Sequence, residues 1–218
     1  MEIQWLKNST FLIKTSLGKR ILIDPFNIVH SFDKNYLADI ICFSKNLDSN
    51  YFSIENNLFT KIIFPKEDFY TDKVKIKSYE SFSDNCNGLK RGKNYITVLE
   101  IDGFKLCHLG YIGEIPNPKI ISILNDMDFI FLPIGGNVCI DGNEASNLCK
   151  LLNSKYIIPM CYKCSNEDFY YSSSKDFLTS NDFEVIINDT NILNTASLCM
   201  NKKNHIIIYN MMNHKLSI

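Results

Sequence analysis

The stretch that decides the fold is MEIQWLKNSTFLIKTSLGKRILIDPF, residues 1–26, in which two short apolar runs flank a polar turn. Phe11-Leu12-Ile13 and Ile21-Leu22-Ile23 have the length and composition of buried strands. Between them, Ser16-Leu17-Gly18-Lys19 predicts a hairpin turn, because glycine accepts backbone conformations that other residues avoid. The chain therefore begins with an antiparallel pair of strands.

The rest of the chain divides into a strand-rich first half and a second half in which strands and helices alternate. Further apolar runs predict strands at 40–43, 61–64, 74–77, 96–101 and 104–107, with Asp102-Gly103 as the turn between the last two. Helices are predicted at 118–125, 142–153 and 173–179, and strands at 128–133, 156–159, 183–187 and 205–209. This order is typical of two sheets covered by helices.

Length, charge and cysteine usage narrow the class of protein. A chain of 218 residues with 45% hydrophobic residues has enough apolar material for one continuous α/β core. The formal charge of −1 predicts neither a nucleic-acid partner nor a membrane partner, and no apolar run is long enough to cross a bilayer. Eight scattered cysteines, without a secretory signal before them, indicate a cytoplasmic protein with free thiols.

Four short motifs carry a resemblance to a known family: KNLDSN at 45–50, SFSD at 81–84, HLGY at 108–111 and PMCY at 159–162. Together with Ile23-Asp24-Pro25 and Gly135-Gly136, their order resembles the metallo-β-lactamase fold superfamily, in its small cytoplasmic hydrolase-like branch related to lactonases. The resemblance is clearest over residues 1–190. It implies a four-layer αββα sandwich, formed as a single domain over residues 1–218, and a hydrolytic site with two metal ions.

The positions that match the family's metal ligands do not carry metal ligands in this chain. The family has His-x-His-x-Asp-His where this chain has KNLDSN, and Gly-His-Ser near the N-terminus where it has Lys7-Asn8-Ser9. Amide, alkyl and ammonium groups do not bind zinc-like ions, so only the thiol among these groups is a plausible ligand. The substituted positions are Lys45, Leu47, Ser49, Asn50, Ser83, Tyr111 and Cys161.

The interpretation that follows is a catalytically inactive member of the fold that holds no metal or other cofactor. The substitutions together remove every buried ligand, so that no ligand is left without its cation, while the frame of the fold is kept. Such a pseudoenzyme is expected to act through protein contacts, as a homo-oligomer or as a heteromer with an active paralogue, or by binding a small ligand.

Two alternatives stay open from the sequence. In the first, the CxxC of Cys161 and Cys164, together with Cys139, forms a thiol site that is assisted by Lys45 or His108, or that holds zinc. Otherwise His108 is expected to be a core or supporting histidine.

In the second alternative, the vacated pocket binds a small anion. Lys7, Lys45, Lys90 and Arg91 would line its rim, and Tyr111 would stack on the ligand. A solvated basic turn is the simpler reading of the residues around Arg91.

Overall fold

The computed structural model describes residues 1–26, 37–46, 60–164, 170–201 and 204–209. These residues form fourteen strands, three α-helices and one short 3-10 helix. The strands are β1 (Glu2–Trp5), β2 (Phe11–Lys14), β3 (Arg20–Ile23), β4 (Ile40–Cys42), β5 (Lys61–Ile63), β6 (Phe69–Tyr70), β7 (Val74–Phe82), β8 (Lys93–Ile101), β9 (Phe104–His108), β10 (Phe129–Pro133), β11 (Tyr156–Met160), β12 (Glu184–Asn188), β13 (Ile192–Asn194) and β14 (His205–Tyr209). The helices are α1 (Pro118–Leu124), α2 (Gly142–Leu151), α3 (Lys175–Thr179) and the 3-10 helix Thr195–Ser197.

The strands form two mixed sheets, which confirms the predicted α/β class. The first sheet has the order β13-β1-β2-β3-β4-β5 and the second has the order β12-β14-β11-β10-β9-β8-β7-β6. In the first sheet, β13, β1, β2 and β3 are antiparallel to their neighbours, whereas β3, β4 and β5 run parallel. In the second, β6, β7, β8 and β9 are antiparallel to one another in turn, whereas β9, β10, β11, β14 and β12 run parallel.

The burial of the strands follows from this pairing. The central parallel strands β10 and β11 are buried along their whole length, and both are continuous apolar runs of the kind that a two-sided core requires. β7 instead alternates at its start, with Val74 and Ile76 buried and the intervening lysines exposed. Trp5 and Phe11 of the first sheet pack with Phe131 of the second in one core cluster.

The helices begin where the sequence offers caps. Asp141 and Glu144 form a reciprocal capping box at the start of α2, and the Asn117 side chain caps α1 ahead of Pro118. Both helices bury one face, which includes Leu124 of α1 and Leu148 of α2. Along the part of the chain that the structure describes, no helix combines the length and apolar character needed to span a membrane.

The predicted elements are present, with differences at their ends. The hairpin over Ser16–Lys19 and the turn at Asp102-Gly103 are confirmed, since β2 pairs antiparallel with β3 and β8 with β9. β7 and β8 are both longer than predicted, because their polar residues pair along nine positions. Three short strands were not predicted: β1, β6 and β13. β13 is only three residues long, and it pairs with β1.

Candidate functional site

Most of the residues singled out above lie where strands end at one edge of the two sheets. Because β3 and β4 run parallel, the residues that follow them, Asp24 and Ser44, are neighbours. In the second sheet, His108 ends β9 and Cys161 follows β11. The carboxyl ends of parallel strands share one edge of a sheet, which is where α/β proteins build their sites. Leu47, Ser49 and Asn50 lie outside the described residues.

Asp24 is a fully buried carboxylate at the centre of this edge. Its two oxygens accept hydrogen bonds from the backbone N–H of Ser44 at 2.6 Å and from the Ser44 hydroxyl at 2.5 Å. Burial raises the pKa of Asp24, while the nearby His108 and the hydrogen bonds from Ser44 act in the opposite direction. Asp24 was noted in the sequence only as part of the frame, although an aspartate that directly follows a buried strand was a signal for a site residue.

His108 is fully buried, and its partners define its protonation state. Its Nε2 donates to the carbonyl oxygen of Ser9 at 2.8 Å, and its Nδ1 accepts from the N–H of Gly110 at 3.2 Å. One donating and one accepting ring nitrogen describe a neutral imidazole. Burial lowers the pKa of His108, against the influence of Asp24, whose carboxylate oxygen lies 4.0 Å from Nδ1. The histidine therefore joins the two sheets as a neutral supporting group.

Lys45 and Tyr111, two of the positions that the sequence motifs singled out, are in contact. The Nζ atom of Lys45 lies 4.8 Å from the centroid of the Tyr111 ring, within the range of a cation–π interaction. Burial lowers the pKa of Lys45 and the neighbouring Arg91 lowers it further, whereas Asp24 raises it. Burial also raises the pKa of the Tyr111 hydroxyl far above neutral pH, so that the phenol stays protonated.

Cys161 and Cys139 both lie near Lys45, and both are buried. Burial raises the pKa of Cys139 to about 11 and that of Cys161 well above its ordinary value, so both are thiols at neutral pH. The Cys161 thiol also interacts with the hydroxyl of Tyr171, a site residue that the sequence did not reveal. Cys164, the second cysteine of the CxxC, is half-buried and its thiol contacts the carbonyl oxygen of Tyr162 at 3.4 Å.

Ser83 and Arg91 are joined through the loop after β7. The Nε of Arg91 donates to the carbonyl oxygen of Ser83 at 2.6 Å, and its Nη1 donates to the carbonyl oxygen of Asn137. The loop itself is folded around Asp84, whose carboxylate accepts backbone N–H bonds from Cys86, Gly88, Lys90 and Arg91. A carboxylate that satisfies four backbone donors holds the guanidinium of Arg91 at this edge.

Metal-ligand chemistry is sparse around this edge. Within the described residues, no group of three or more histidine, cysteine, aspartate or glutamate side chains is arranged to hold a metal ion. The groups that meet there are an ammonium, a guanidinium, phenols, thiols, the neutral imidazole of His108 and the buried carboxylates of Asp24 and Asp84. This arrangement can neutralise or bind negative charge.

Comparison with known proteins gives the same fold and a consistent class of relatives. A family model described as the beta-lactamase superfamily domain matches residues 2–161. A UPF0173 metal-dependent hydrolase of Korarchaeum cryptofilum is 27% identical over 194 residues, which cover 75% of this chain and 83% of the relative. A UPF0173 metal-dependent hydrolase of Pelotomaculum thermopropionicum is 26% identical over 194 residues, covering 74% of this chain and 84% of that protein.

Solved structures agree with these relatives. A metallo-beta-lactamase superfamily protein of Thermotoga maritima matches with a TM-score of 0.69 and 27% identity, covering 95% of this chain and 98% of that one. The metallo hydrolase Igni18 of Ignicoccus hospitalis matches with a TM-score of 0.59 and 16% identity, covering 81% of this chain and 88% of that one. The second likeness concerns the fold alone.

Proposed function

Because this chain belongs to the beta-lactamase superfamily domain family, whose model matches residues 2–161, we propose that it is a catalytically inactive member of that family. The relatives it resembles are named metal-dependent hydrolases, and hydrolysis of that kind needs metal ions held by imidazole, carboxylate or thiolate groups. In this proposal the metal site has been lost and the fold serves in binding, through a small ligand or through protein contacts.

The observation that carries the proposal is the contact between Lys45 and Tyr111. Both positions match metal ligands in the family pattern, yet one holds an ammonium group and the other a protonated phenol. An ammonium group has no lone pair for a metal, and its positive charge opposes a second cation nearby. The described residues therefore do not fit a centre of two metal ions, and no hydrolytic step is assigned to them.

Metal content tests this proposal directly. The tag-free protein, purified without chelator, is dialysed after incubation with zinc or manganese, and its metal is measured by inductively coupled plasma mass spectrometry. We expect far less than one equivalent per chain. One tightly held equivalent in the unaltered protein would overturn the proposal.

A rebuilt variant provides the matched control for that measurement. Because the frame of the fold is intact, restoring the family pattern should restore metal binding, and the unaltered chain should stay empty beside it. If the rebuilt variant also binds no metal, the low metal content measured for the unaltered chain still supports the proposal. The substitutions are Lys45→His, Leu47→His, Ser49→Asp, Asn50→His, Ser83→His, Tyr111→Asp and Cys161→His.

The thiol alternative is less well supported. A nucleophilic cysteine needs a lowered pKa, whereas burial raises the pKa of both Cys161 and Cys139. A thiol reagent such as 5,5′-dithiobis(2-nitrobenzoic acid) should react readily with the exposed Cys199 and only on unfolding with Cys161. Rapid reaction at Cys161 in the native protein, lost in Cys161→Ser, would favour the thiol site.

The remaining parts of the proposal concern the protein's setting. We expect one domain, a cytoplasmic location, and assembly as a homo-oligomer or with an active paralogue. The eight free cysteines support a reducing compartment. Light scattering coupled to size-exclusion chromatography measures the mass of the purified protein, and co-purification with a tagged paralogue tests the heteromer. A monomer that captures no paralogue would remove the protein-contact role and leave ligand binding.

A further inference from the structure

Two cations meet at the candidate site, and both are held by uncharged groups. Lys45 lies against the face of the Tyr111 ring, and Arg91 is anchored by the carbonyl oxygens of Ser83 and Asn137. Arg91 lies near enough to Lys45 that its charge lowers the pKa of the lysine. Bringing two like charges together costs electrostatic free energy, and a nearby negative charge offsets that cost.

No carboxylate of the described residues forms an ion pair with either cation. Asp24 is the carboxylate whose charge acts on Lys45, and its two oxygens already accept hydrogen bonds from Ser44. Asp84 is a second buried carboxylate beside Arg91, and its oxygens accept four backbone N–H bonds. Both carboxylates are thus engaged by other donors, and an anion would form with Lys45 and Arg91 the ion pairs that no carboxylate of the described residues forms.

Ser83 adds a hydroxyl without a hydrogen-bond partner to these two cations. Its side chain is fully buried, and its Oγ has no hydrogen-bond partner in the described part of the chain, although its carbonyl oxygen accepts from Arg91. A buried hydroxyl without a partner costs free energy, which a ligand oxygen at the same place would recover. The hydroxyl belongs to the same residue whose carbonyl oxygen holds the Arg91 side chain.

We propose that Lys45, Arg91 and Ser83 bind a small oxyanion, which is the carboxylate or phosphate group of a metabolite. The Nη2 of Arg91 and the Lys45 ammonium supply charge-assisted hydrogen bonds, and the Tyr111 ring borders the ligand. This inference rests on the proposed function, because the oxyanion occupies the edge where the family pattern carries metal ions. It adds the chemical class of the ligand and the residues that recognise it.

Isothermal titration calorimetry tests the site with two probes, inorganic phosphate and acetate, each titrated at constant ionic strength against a chloride blank. We expect saturable binding of at least one probe to the unaltered protein. Lys45→Met and Arg91→Gln should each weaken it about tenfold, since each removes a charge-assisted hydrogen bond. Ser83→Ala should weaken it about threefold, the effect of one neutral hydrogen bond.

Lys90→Gln is the matched control, because Lys90 is exposed and adjoins Arg91, while its bond to Asp84 uses the backbone N–H and survives the substitution. It should change the affinity by no more than about twofold. Circular dichroism checks that each variant is folded, and Arg91→Gln keeps the test decisive if Lys45→Met is not, since Arg91 is exposed.

Absence of saturable binding for both probes, or an equal loss in Lys90→Gln and Arg91→Gln, would overturn the inference. The metal content of the same preparation is measured alongside. A stoichiometric metal ion would refute the proposed function, whereas a metal-free protein that binds neither probe would refute the anion site alone. The probe that binds more tightly identifies the group that the site recognises.

Discussion

The ammonium of Lys45 lies 4.8 Å from the centroid of the Tyr111 ring, so that a residue of the first sheet's edge contacts a residue of the second sheet's edge. Lys45 follows β4 of the first sheet and Tyr111 follows β9 of the second. Their contact places a positive charge between the sheets near the buried carboxylate of Asp24. The same charge offsets part of the negative charge of Asp24 and, in the proposed anion site, attracts the ligand.

A double-mutant cycle measures the contact between Lys45 and Tyr111. Lys45→Met, Tyr111→Leu and the double variant should give a coupling free energy of about 0.5–2 kcal/mol in denaturant unfolding. Lys77 and Tyr70 form the control pair, with 6.0 Å between the ammonium and the ring centroid, and their coupling should be smaller. Equal coupling in both pairs would mean that burial does not strengthen the Lys45 contact.

The neutral state of His108 predicts a pH dependence of stability. The folded-state pKa of His108 lies below its ordinary value of 6.5, so the unfolded chain binds the proton more readily. The contribution of His108 is complete above about pH 6.5 and is lost as the pH falls toward the folded-state pKa, at no more than about 1.4 kcal/mol per pH unit. Urea unfolding at a series of pH values from 8 to 5 measures it.

His108→Gln should flatten that slope. Asp24 acts with the opposite sign: its raised pKa means that its contribution is present below its ordinary value of 3.8 and is lost as the pH rises. The His108→Gln variant distinguishes the two effects, because it removes the histidine contribution and keeps the carboxyl group of Asp24. A slope that survives in His108→Gln would assign the pH dependence to another group.

Replacement of Gly135 by alanine is expected to destabilise the fold strongly. A Cβ atom at Gly135 would overlap the carbonyl oxygen of Cys161, which belongs to the backbone and has little room to move. Gly135→Ala should therefore lower the free energy of unfolding by about 3 kcal/mol. Gly92→Ala is the comparison: a Cβ there meets no atom within 4 Å, and its φ of +77° alone should cost about 1 kcal/mol. Similar losses at both positions would show that close packing against Cys161 is not the reason for glycine.

The carboxylate of Asp84 is expected to order the loop that carries Arg91. Asp84→Asn replaces one carboxylate oxygen by an NH2 group, which donates and cannot accept, so some of the four N–H bonds must be lost. Hydrogen exchange at the amides of Cys86, Gly88, Lys90 and Arg91 should become faster in that variant. The exposed Asp72 is the control, because Asp72→Asn should leave those rates unchanged.

The same carboxylate contributes to acid stability. Burial alone would raise the pKa of Asp84, but the hydrogen bonds from Arg91, Cys86 and Gly88 outweigh it and hold the pKa well below 3.8. Its stabilising contribution is therefore present above about pH 3.8 and is lost as the pH falls further. In Asp84→Asn, acid unfolding should lose this component, whereas it should persist in Asp72→Asn.

The class of fold could be predicted from the sequence, because its short apolar runs are bounded by clear turns and its motifs resemble those of a known family. The hairpin at Ser16–Lys19 and the strand His205–Tyr209 were readable from local pattern alone. β13 was not, since its residues become a strand only by pairing with β1 across almost the whole chain. A local sequence pattern predicts a strand that has a clear apolar face of its own. It does not predict a strand that forms because it pairs with a segment far away in the sequence.

The candidate site divides in the same way. The sequence predicted which positions match the family's metal ligands, because a motif can be read without coordinates. Only the folded structure shows that Lys45 contacts Tyr111, that Asp24 lies buried near them, and that Arg91 is anchored beside Ser83. Charges and burial are properties of neighbours in space, and residues from β3, β4, β7 and β9 become neighbours only when the two sheets pack together.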